Sequence, residues 1–322
     1  MTIYTLITSI NGPTKAVKKY IELGARVVVI GDRKSPCNYD AEVDFLDLNR
    51  QAEMYPELSA SLPYNHYCRK NLGYVYLANN IRDGDFIYET DDDNVPYDNW
   101  SEMLDFSTSA YVQNDSGWVN IYEKFTNELI WPRGLPLAKI SEAAHIIDKI
   151  RQHLEVGVVQ GLADLDPDVD AIHRLVFDKT IKFSAGDYSI LPGTFCPFNS
   201  QNTVWNPRFL CLAYLPTTVT FRYTDILRSM VAQRILWSEN SVVKFCGPSV
   251  FQERNTHDLT HDFKDEVPMH LNQLTVAKCL GQLDLMGSLS DKLRMCYQRL
   301  VEQSVCDEKE LQVLDKYLAA FK

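Results

Sequence analysis

An α/β protein built on a mostly parallel sheet is the fold class this chain predicts, and three observations carry the prediction. The first is a β–α–β opening: a β-favouring run at residues 3–7, helical spacing of Val17, Tyr20 and Ile21, then the continuous apolar run Val27, Val28, Val29, Ile30. A run apolar at every position suits a strand covered on both faces, and a strand–helix–strand unit closes as a right-handed crossover between parallel strands. The second is another short apolar run, Phe86, Ile87 and Tyr88, that soon ends in Asp91, Asp92 and Asp93. The third is bulk: 322 residues with 45% hydrophobic and 23% charged content suit one large domain, or a domain with an accessory lobe.

Taken in order, the first run is followed by a turn, Thr8-Ser9-Ile10-Asn11-Gly12-Pro13. The second strand ends in Gly31 and Asp32. Gly31 permits close backbone approach, and Asp32 is either a turn residue or an acceptor for a base or ribose. Phe45, Leu46 and Leu48 mark a short third strand. Residues 66–80 are helical in pattern, with Arg69, Lys70 and Asn71 near the start. Cations there oppose the helix macrodipole. They are expected either to face an anion, such as a diphosphate or the carboxylates of the next strand, or to form a solvated basic turn.

Three adjacent carboxylates repel one another unless a positive charge sits among them. A hard divalent cation relieves that repulsion and can hold substrate phosphates as well. In open α/β sheets the carboxyl ends of strands are where ligands bind. Asp91 and Asp93, spaced Asp-x-Asp at a strand end, therefore read as ligands of a metal–diphosphate site; the plain alternative is a solvated acidic turn.

Further along, residues 118–122 and 129–131 look like strands, and the loop Trp131-Pro132-Arg133-Gly134 is rigid and carries one arginine. Asp166 before Pro167 reads as a helix N-cap, with Asp168 and Asp170 in the first turn. Residues 195–203 form a polar loop whose Asn199 and Gln201 suit a sugar. A strand is expected at 219–222. Asp225 then opens an amphipathic helix, as a capping carboxylate or as one set beside the substrate. Residues 247–268 read as a polar loop holding His257 and His261. One of these histidines reaching back to the Asp91 and Asp93 metal is favoured over a two-histidine zinc site. Helical stripes from residue 270 onward suggest an accessory lobe, giving domains 1–268 and 269–322.

Lys+Arg 32 against Asp+Glu 43 gives a formal net charge of −11, which opposes a nucleic-acid-binding role. The first residues have neither a basic leader nor a signal-peptide core, and no apolar stretch reaches the roughly 18 residues of a membrane span. Eight scattered cysteines without a Cys-x-x-Cys pair suggest reduced, packed thiols. A cytoplasmic setting is expected, with peripheral membrane association as the alternative, and the C-terminal helices could support a homodimer.

Several segments resemble one family. They are Arg69-Lys70-Asn71-Leu72-Gly73-Tyr74, the 88–94 run ending in the aspartates, Trp131-Pro132-Arg133-Gly134, and Val159-Gln160-Gly161 with residues 166–170. Pro197-Phe198-Asn199-Ser200-Gln201-Asn202-Thr203, Phe221-Arg222-Tyr223-Thr224-Asp225-Ile226 and Phe251-Gln252-Glu253-Arg254-Asn255 complete the set. This collinear series over residues 3–268 is similar to the STELLO glycosyltransferase-like family. More distantly it resembles the reversibly glycosylated polypeptides, which are nucleotide-sugar mutases of plants. The resemblance implies a GT-A fold, a Rossmann-like nucleotide-sugar-binding half with a C-terminal helical extension. It implies Mn2+ or Mg2+ on Asp91 and Asp93, with His257 as a late ligand. It implies a nucleotide-sugar site drawn from Thr8, Asp32, Arg69, Lys70, Asp91, Asp92, Arg133, Asn199 and Gln201. Asp225 takes the place of the general base in inverting members. The plant members' N-terminal membrane anchor has no counterpart in the sequence, so a Golgi-type setting is not expected.

The leading expectation is a metal-dependent glycosyltransferase that moves a sugar, most simply from a UDP-sugar, to a hydroxyl acceptor in polysaccharide or glycoconjugate synthesis. A nucleotide-sugar mutase and a non-catalytic partner-binding module are the alternatives. Crowded carboxylates at 91–93 weigh against the last, because without a cation they cost stability.

Overall fold

Among the described residues eleven strands join in one sheet, and the candidate site lies at the carboxyl ends of its parallel strands. The computed structural model describes residues 1–321 apart from 38, 40–41, 109, 143, 148–149, 151–152 and 254–257. In chain order the first half comprises β1 (Ile3–Thr8), α1 (Lys15–Glu22), β2 (Arg26–Ile30), β3 (Asp44–Leu46), α2 (Leu48–Met54), α3 (Pro56–Ser61), α4 (Asn71–Ala78), β4 (Phe86–Asp91), β5 (Asn94–Pro96), β6 (Tyr111–Gln113) and β7 (His145–Ile147). The second half comprises β8 (Glu155–Leu165), α5 (Ala171–Val176), β9 (Asp187–Ile190), β10 (Asn202–Trp205), α6 (Thr224–Ser238), β11 (Ser241–Gln252), α7 (Leu259–Gly281), α8 (Leu289–Glu302) and α9 (Lys309–Ala320).

The strand order is β3-β2-β1-β4-β10-β8-β11-β9-β6-β7, with β5 paired to β11. Strands β3, β2, β1 and β4 are mutually parallel. β10 is reversed between β4 and β8, and β11 again runs parallel to β8. Six strands thus share one direction through the centre, the α/β layout expected from the sequence. Val27 and Val29 enter one core while Val28 and Ile30 enter the other, because successive side chains of a strand point to opposite faces. That is why every position of this run is apolar.

Several local expectations give way to longer-range contacts. The segment expected as a strand at 219–222 contains a 3-10 turn, Phe221–Tyr223. It is tied to α7 by Thr220 donating to the Asp265 carbonyl at 2.6 Å and by Arg222 pairing with Glu266 at 2.7 Å. Of the strand-like run 118–122 only Trp118 makes a bridge, to Phe195, and Ile121–Lys124 is a 3-10 turn. Residues 129–131 are loop. Asp166 is not a cap. Asp170 takes that place by accepting from the His173 amide at 2.8 Å, because Asp168 is drawn out of the helix by Arg133. Most of the loop expected at 247–268 is regular structure, since β11 continues to Gln252 and Asp258 caps α7, which starts at Leu259.

The boundary expected at 268/269 falls inside α7. The C-terminal helices share a core with the sheet: Met269, Leu300 and Tyr317 lie in the same buried cluster as Leu6 and Val28. Glu310 on α9 is fully buried and accepts from the Thr217 and Thr218 amides at 2.9 and 2.8 Å and from the Tyr214 hydroxyl at 2.5 Å. It thereby fixes the loop that leads to Phe221. Glu310→Ala leaves the buried Tyr214 hydroxyl and the half-buried Thr217 and Thr218 amides without their acceptor and should cost roughly 3 kcal/mol. A thermal melt unchanged from wild type contradicts that role.

Candidate active site

The carboxyl ends of β1, β2 and β4 open onto a cleft of about 510 Å3, a volume in the range of small-ligand sites. Thr8, Ser9, Asn11, Gly31 and Asp32 line one end. Asp91, Asp92, Asp93 and Tyr67 form the middle, and Arg133, Asp168, Gln201, Phe221, Arg222 and Asp225 line the other end.

The strand that presents the aspartates is anchored from three sides. Glu89, two residues before Asp91, is fully buried against Arg228 at 2.8 Å and accepts from Trp205 Nε1 at 3.1 Å and from the Tyr74 hydroxyl. A buried ion pair of this kind is a weak source of stability but holds its partners in one geometry. Arg228 also donates to the Asn199 carbonyl at 3.0 Å, so a single side chain ties α6, β4 and the polar loop together.

The three aspartates do different work. Asp92 points to the loop after β1: its Oδ2 accepts from Ser9 Oγ at 2.5 Å and Asn11 Nδ2 at 3.0 Å, and its carbonyl accepts from Thr14. Asp91 accepts from the Tyr67 hydroxyl at 2.6 Å and lies 3.5 Å from Lys70 Nζ. Asp93 accepts from Gln252 Nε2 at 2.6 Å. Burial pushes Asp91 above the ordinary carboxylate range against the pull of Lys70. Burial, reinforced by the charge of Asp91, pushes Asp93 up to about 6.

These raised values bear on metal binding. Among the described residues no three His, Cys, Asp or Glu side chains converge as a complete metal cage. Asp91 and Asp93 still fit a hard cation, since magnesium-like ions commonly take one or two carboxylates and fill the remaining positions with phosphate and water. His257 lies outside the described residues. His261 is exposed on α7, 3.7 Å from Asp265, and does not line the cleft.

For Asp93 the sign of the pH effect follows from a folded pKa of about 6 against an ordinary 3.8. Between these values the folded protein holds a proton that the unfolded chain has lost, so this group's contribution to stability falls as pH rises through the window. A cation held there would compete for the same oxygens. The apparent affinity for Mn2+ should therefore rise with pH through about 6 and level off above it. Calorimetric titrations across this range check the prediction, and a flat profile contradicts it.

Other expected site residues take different places. Lys70 is fully buried and does not line the cleft; its Nζ donates to the Tyr67 hydroxyl at 2.6 Å and the Thr90 carbonyl at 3.0 Å. Of the two destinations open to it in sequence, the carboxylates of the next strand are the one it meets. Arg69 borders the cleft but is 1% exposed, and its guanidinium serves Gln51, Ser59 and the Leu62 carbonyl. Asn199 does not line the cleft: its Oδ1 accepts from Gln160 and the Gln201 amide. Thr8, Asp32 and Gln201 do line it.

Arg133 is the hub of the far end. Its Nε donates to Asp168 at 2.8 Å, and its Nη2 donates to Asp168 at 2.8 Å and to Asp225 at 2.9 Å. Gly134 makes this possible: its φ is +88°, and a Cβ there would collide with Ile226. Burial pushes Asp225 up, but the charge and hydrogen bonds of Arg133, with Arg228 and Arg222 behind, outweigh it and hold Asp225 below its ordinary value.

Tyr67 and Ser200 join the two ends. Ser200 Oγ lies 2.7 Å from the Tyr67 hydroxyl and 3.3 Å from Asp225 Oδ2, and Tyr67 donates to Asp91. Sequence reasoning missed both residues. Tyr67 sits two places before Arg69, yet nothing local distinguishes it from a core tyrosine.

Fold and cleft together define an α/β protein with a candidate ligand site at the carboxyl ends of its parallel strands. No known family profile matches the chain. It is similar to two proteins of Arabidopsis thaliana, "Probable glycosyltransferase STELLO2" and "Probable glycosyltransferase STELLO1". The identity is 26% over 293 and 288 residues, covering 84% and 81% of this chain. The match spans 38% and 36% of those relatives, so the chain corresponds to well under half their length. Among solved structures, glucosyl-3-phosphoglycerate synthase from Mycobacterium tuberculosis in complex with Mn2+ and UDP-glucose aligns with a TM-score of 0.42 and 10% identity. That alignment covers 84% of this chain and 78% of that one. The same synthase with Mn2+, UDP-glucose and phosphoglyceric acid also gives 0.42, over 85% and 80%.

Proposed function

We propose that this chain is a divalent-cation-dependent glycosyltransferase. It binds a nucleotide-diphosphate sugar, UDP-linked in the first instance, and transfers the sugar to an acceptor hydroxyl. The observation that carries the reading is the pair Asp91 and Asp93, two desolvated carboxylates of raised pKa at the end of β4, facing a cleft. The likeness to the STELLO proteins supports the same reading.

In this account Thr8 and Asp32 lie along the nucleotide, with Asp32 accepting from the base or ribose. Asp91 and Asp93 would hold Mn2+ or Mg2+, which supplies charge neutralisation at the leaving diphosphate. Gln201 and Gln252, whose amides lie 2.5 Å apart, offer hydrogen bonds to the sugar. Asp225 takes the proton of the acceptor hydroxyl. Its depressed pKa keeps it ionised while lowering its basicity, and attack from its side of the donor inverts the anomeric centre. The product belongs to polysaccharide or glycoconjugate synthesis. No helix among the described residues is long and apolar enough to cross a membrane.

Asp225→Asn tests the division of labour. Arg133 keeps Asp168 as its counter-ion, so the variant should fold and bind UDP with Mn2+ as wild type does. Turnover should fall by roughly 100-fold or more, the share general-base catalysis commonly supplies. Wild-type turnover in Asp225→Asn removes the base assignment.

A further inference from the structure

Two large hydrophobic side chains are both exposed and part of the cleft wall, Ile10 and Phe221, each 47% exposed. They lie at opposite ends. Ile10 follows β1 at the nucleotide end, while Phe221 stands beside Arg222 and Asp225. Leaving an aromatic ring in water at the rim of a polar cleft forgoes burial, so its use must come from what binds there.

The ring is held in place. His66 and Tyr67 meet it edge-on, each at 5.7 Å between centroids and at 70° and 63°. Its backbone is pinned by the Thr224 hydroxyl donating to the Phe221 carbonyl at 3.0 Å and by Thr220 bonding to Asp265 on α7.

The charges around it are matched within the protein. Arg133 lies between Asp168 and Asp225, Arg222 pairs with Glu266 at 2.7 Å, and Arg174 pairs with Asp166 at 3.4 Å. An anionic acceptor beside Phe221 would find these three guanidiniums already neutralised and four carboxylates nearby, with Lys34 and Arg69 as the cleft wall's other cations. A neutral ring bearing vicinal hydroxyls meets something more favourable: planar donors and acceptors for its oxygens and an aromatic face for its C–H side.

We propose that the acceptor is a neutral saccharide whose ring stacks on Phe221, which makes Phe221 a specificity-determining residue. This rests on the glycosyltransferase reading for the word acceptor, but the subsite itself can be tested without turnover. The probes are methyl glycosides of common hexoses and pentoses and the disaccharide cellobiose, followed by saturation-transfer NMR on the full chain. Glycerol 3-phosphate and 3-phosphoglycerate serve as anionic competitors.

At least one neutral glycoside should bind. Phe221→Ala should weaken that binding roughly ten-fold, the loss expected for one stacked ring, and Phe221→Trp should restore it. A UDP–Mn2+ thermal shift retained in Phe221→Ala shows that the donor half is intact. Glycoside binding that ignores Phe221→Ala, no glycoside binding in wild type, or preferred binding of the anionic probes each overturns the proposal. If glycosides bind through Phe221 while UDP and Mn2+ bind nowhere, the saccharide subsite stands and the donor reading falls.

Discussion

Asp91→Asn or Asp93→Asn should lower kcat/KM for a UDP-sugar by roughly 1,000-fold, about 4 kcal/mol of transition-state stabilisation. The reason lies in where their charge sits. Both carboxylates are desolvated, and both have raised pKa values, so each is destabilised in its charged form until a cation arrives. Asparagine keeps the shape and the hydrogen-bonding reach but removes the charge that attracts the ion. The effect should appear as lost Mn2+ dependence. Asp93→Asn should fold as well as wild type or better, since a strained charge has been removed, whereas Asp91→Asn should lose some stability because the buried Lys70 loses its carboxylate. Asp92→Asn should behave differently. Its oxygen serves Ser9 and Asn11, so the loop after β1 should loosen and the nucleotide KM should rise more than kcat falls. Equal losses at all three positions, measured by initial rates against Mn2+ concentration, contradict the division made here.

The second large effect concerns stability. Arg133→Ala leaves Asp168 and Asp225, each under a tenth exposed, without the guanidinium that holds them both. Removing one partner of a buried ionic group typically costs 3–5 kcal/mol, because the remaining charge is stranded. In a chain of this size that amounts to about 4–7 °C in Tm. Arg133→Lys should rescue only part of the loss, since one ammonium cannot reproduce paired contacts to two carboxylates. Combining Arg133→Met with Asp168→Asn and Asp225→Asn should recover much of the stability while leaving no turnover. A single Arg133→Ala variant that melts with wild type contradicts the role of the triad.

What sequence could and could not show follows from the range of the forces involved. β1, β2 and the end of β4 were legible because strand burial writes itself into adjacent residues, and three aspartates after an apolar run are a local signal. The helix start at Ala171 was misplaced because Asp166 and Pro167 form a good local cap. A partner 35 positions away, Arg133, captured Asp168 and moved the cap to Asp170. The same holds for Asn199, which reads as a sugar ligand in a polar loop but is spent on Gln160 in β8. Lys70 and Tyr67 acquire meaning only when α4 packs beside β4 and brings them to Asp91. The expected lobe boundary failed for a related reason: stripes on α7, α8 and α9 show that these helices pack, but not that they pack on the main core.

The account stands on a cation and a nucleotide sugar meeting at the end of β4. Titration calorimetry of the wild-type chain with UDP-glucose, with and without Mn2+, tests this most directly. We expect saturable binding with Mn2+, binding at least ten-fold weaker without it, and loss of the difference in Asp91→Asn. Binding that is equal in both buffers, or that survives Asp91→Asn with its metal dependence intact, contradicts the assignment.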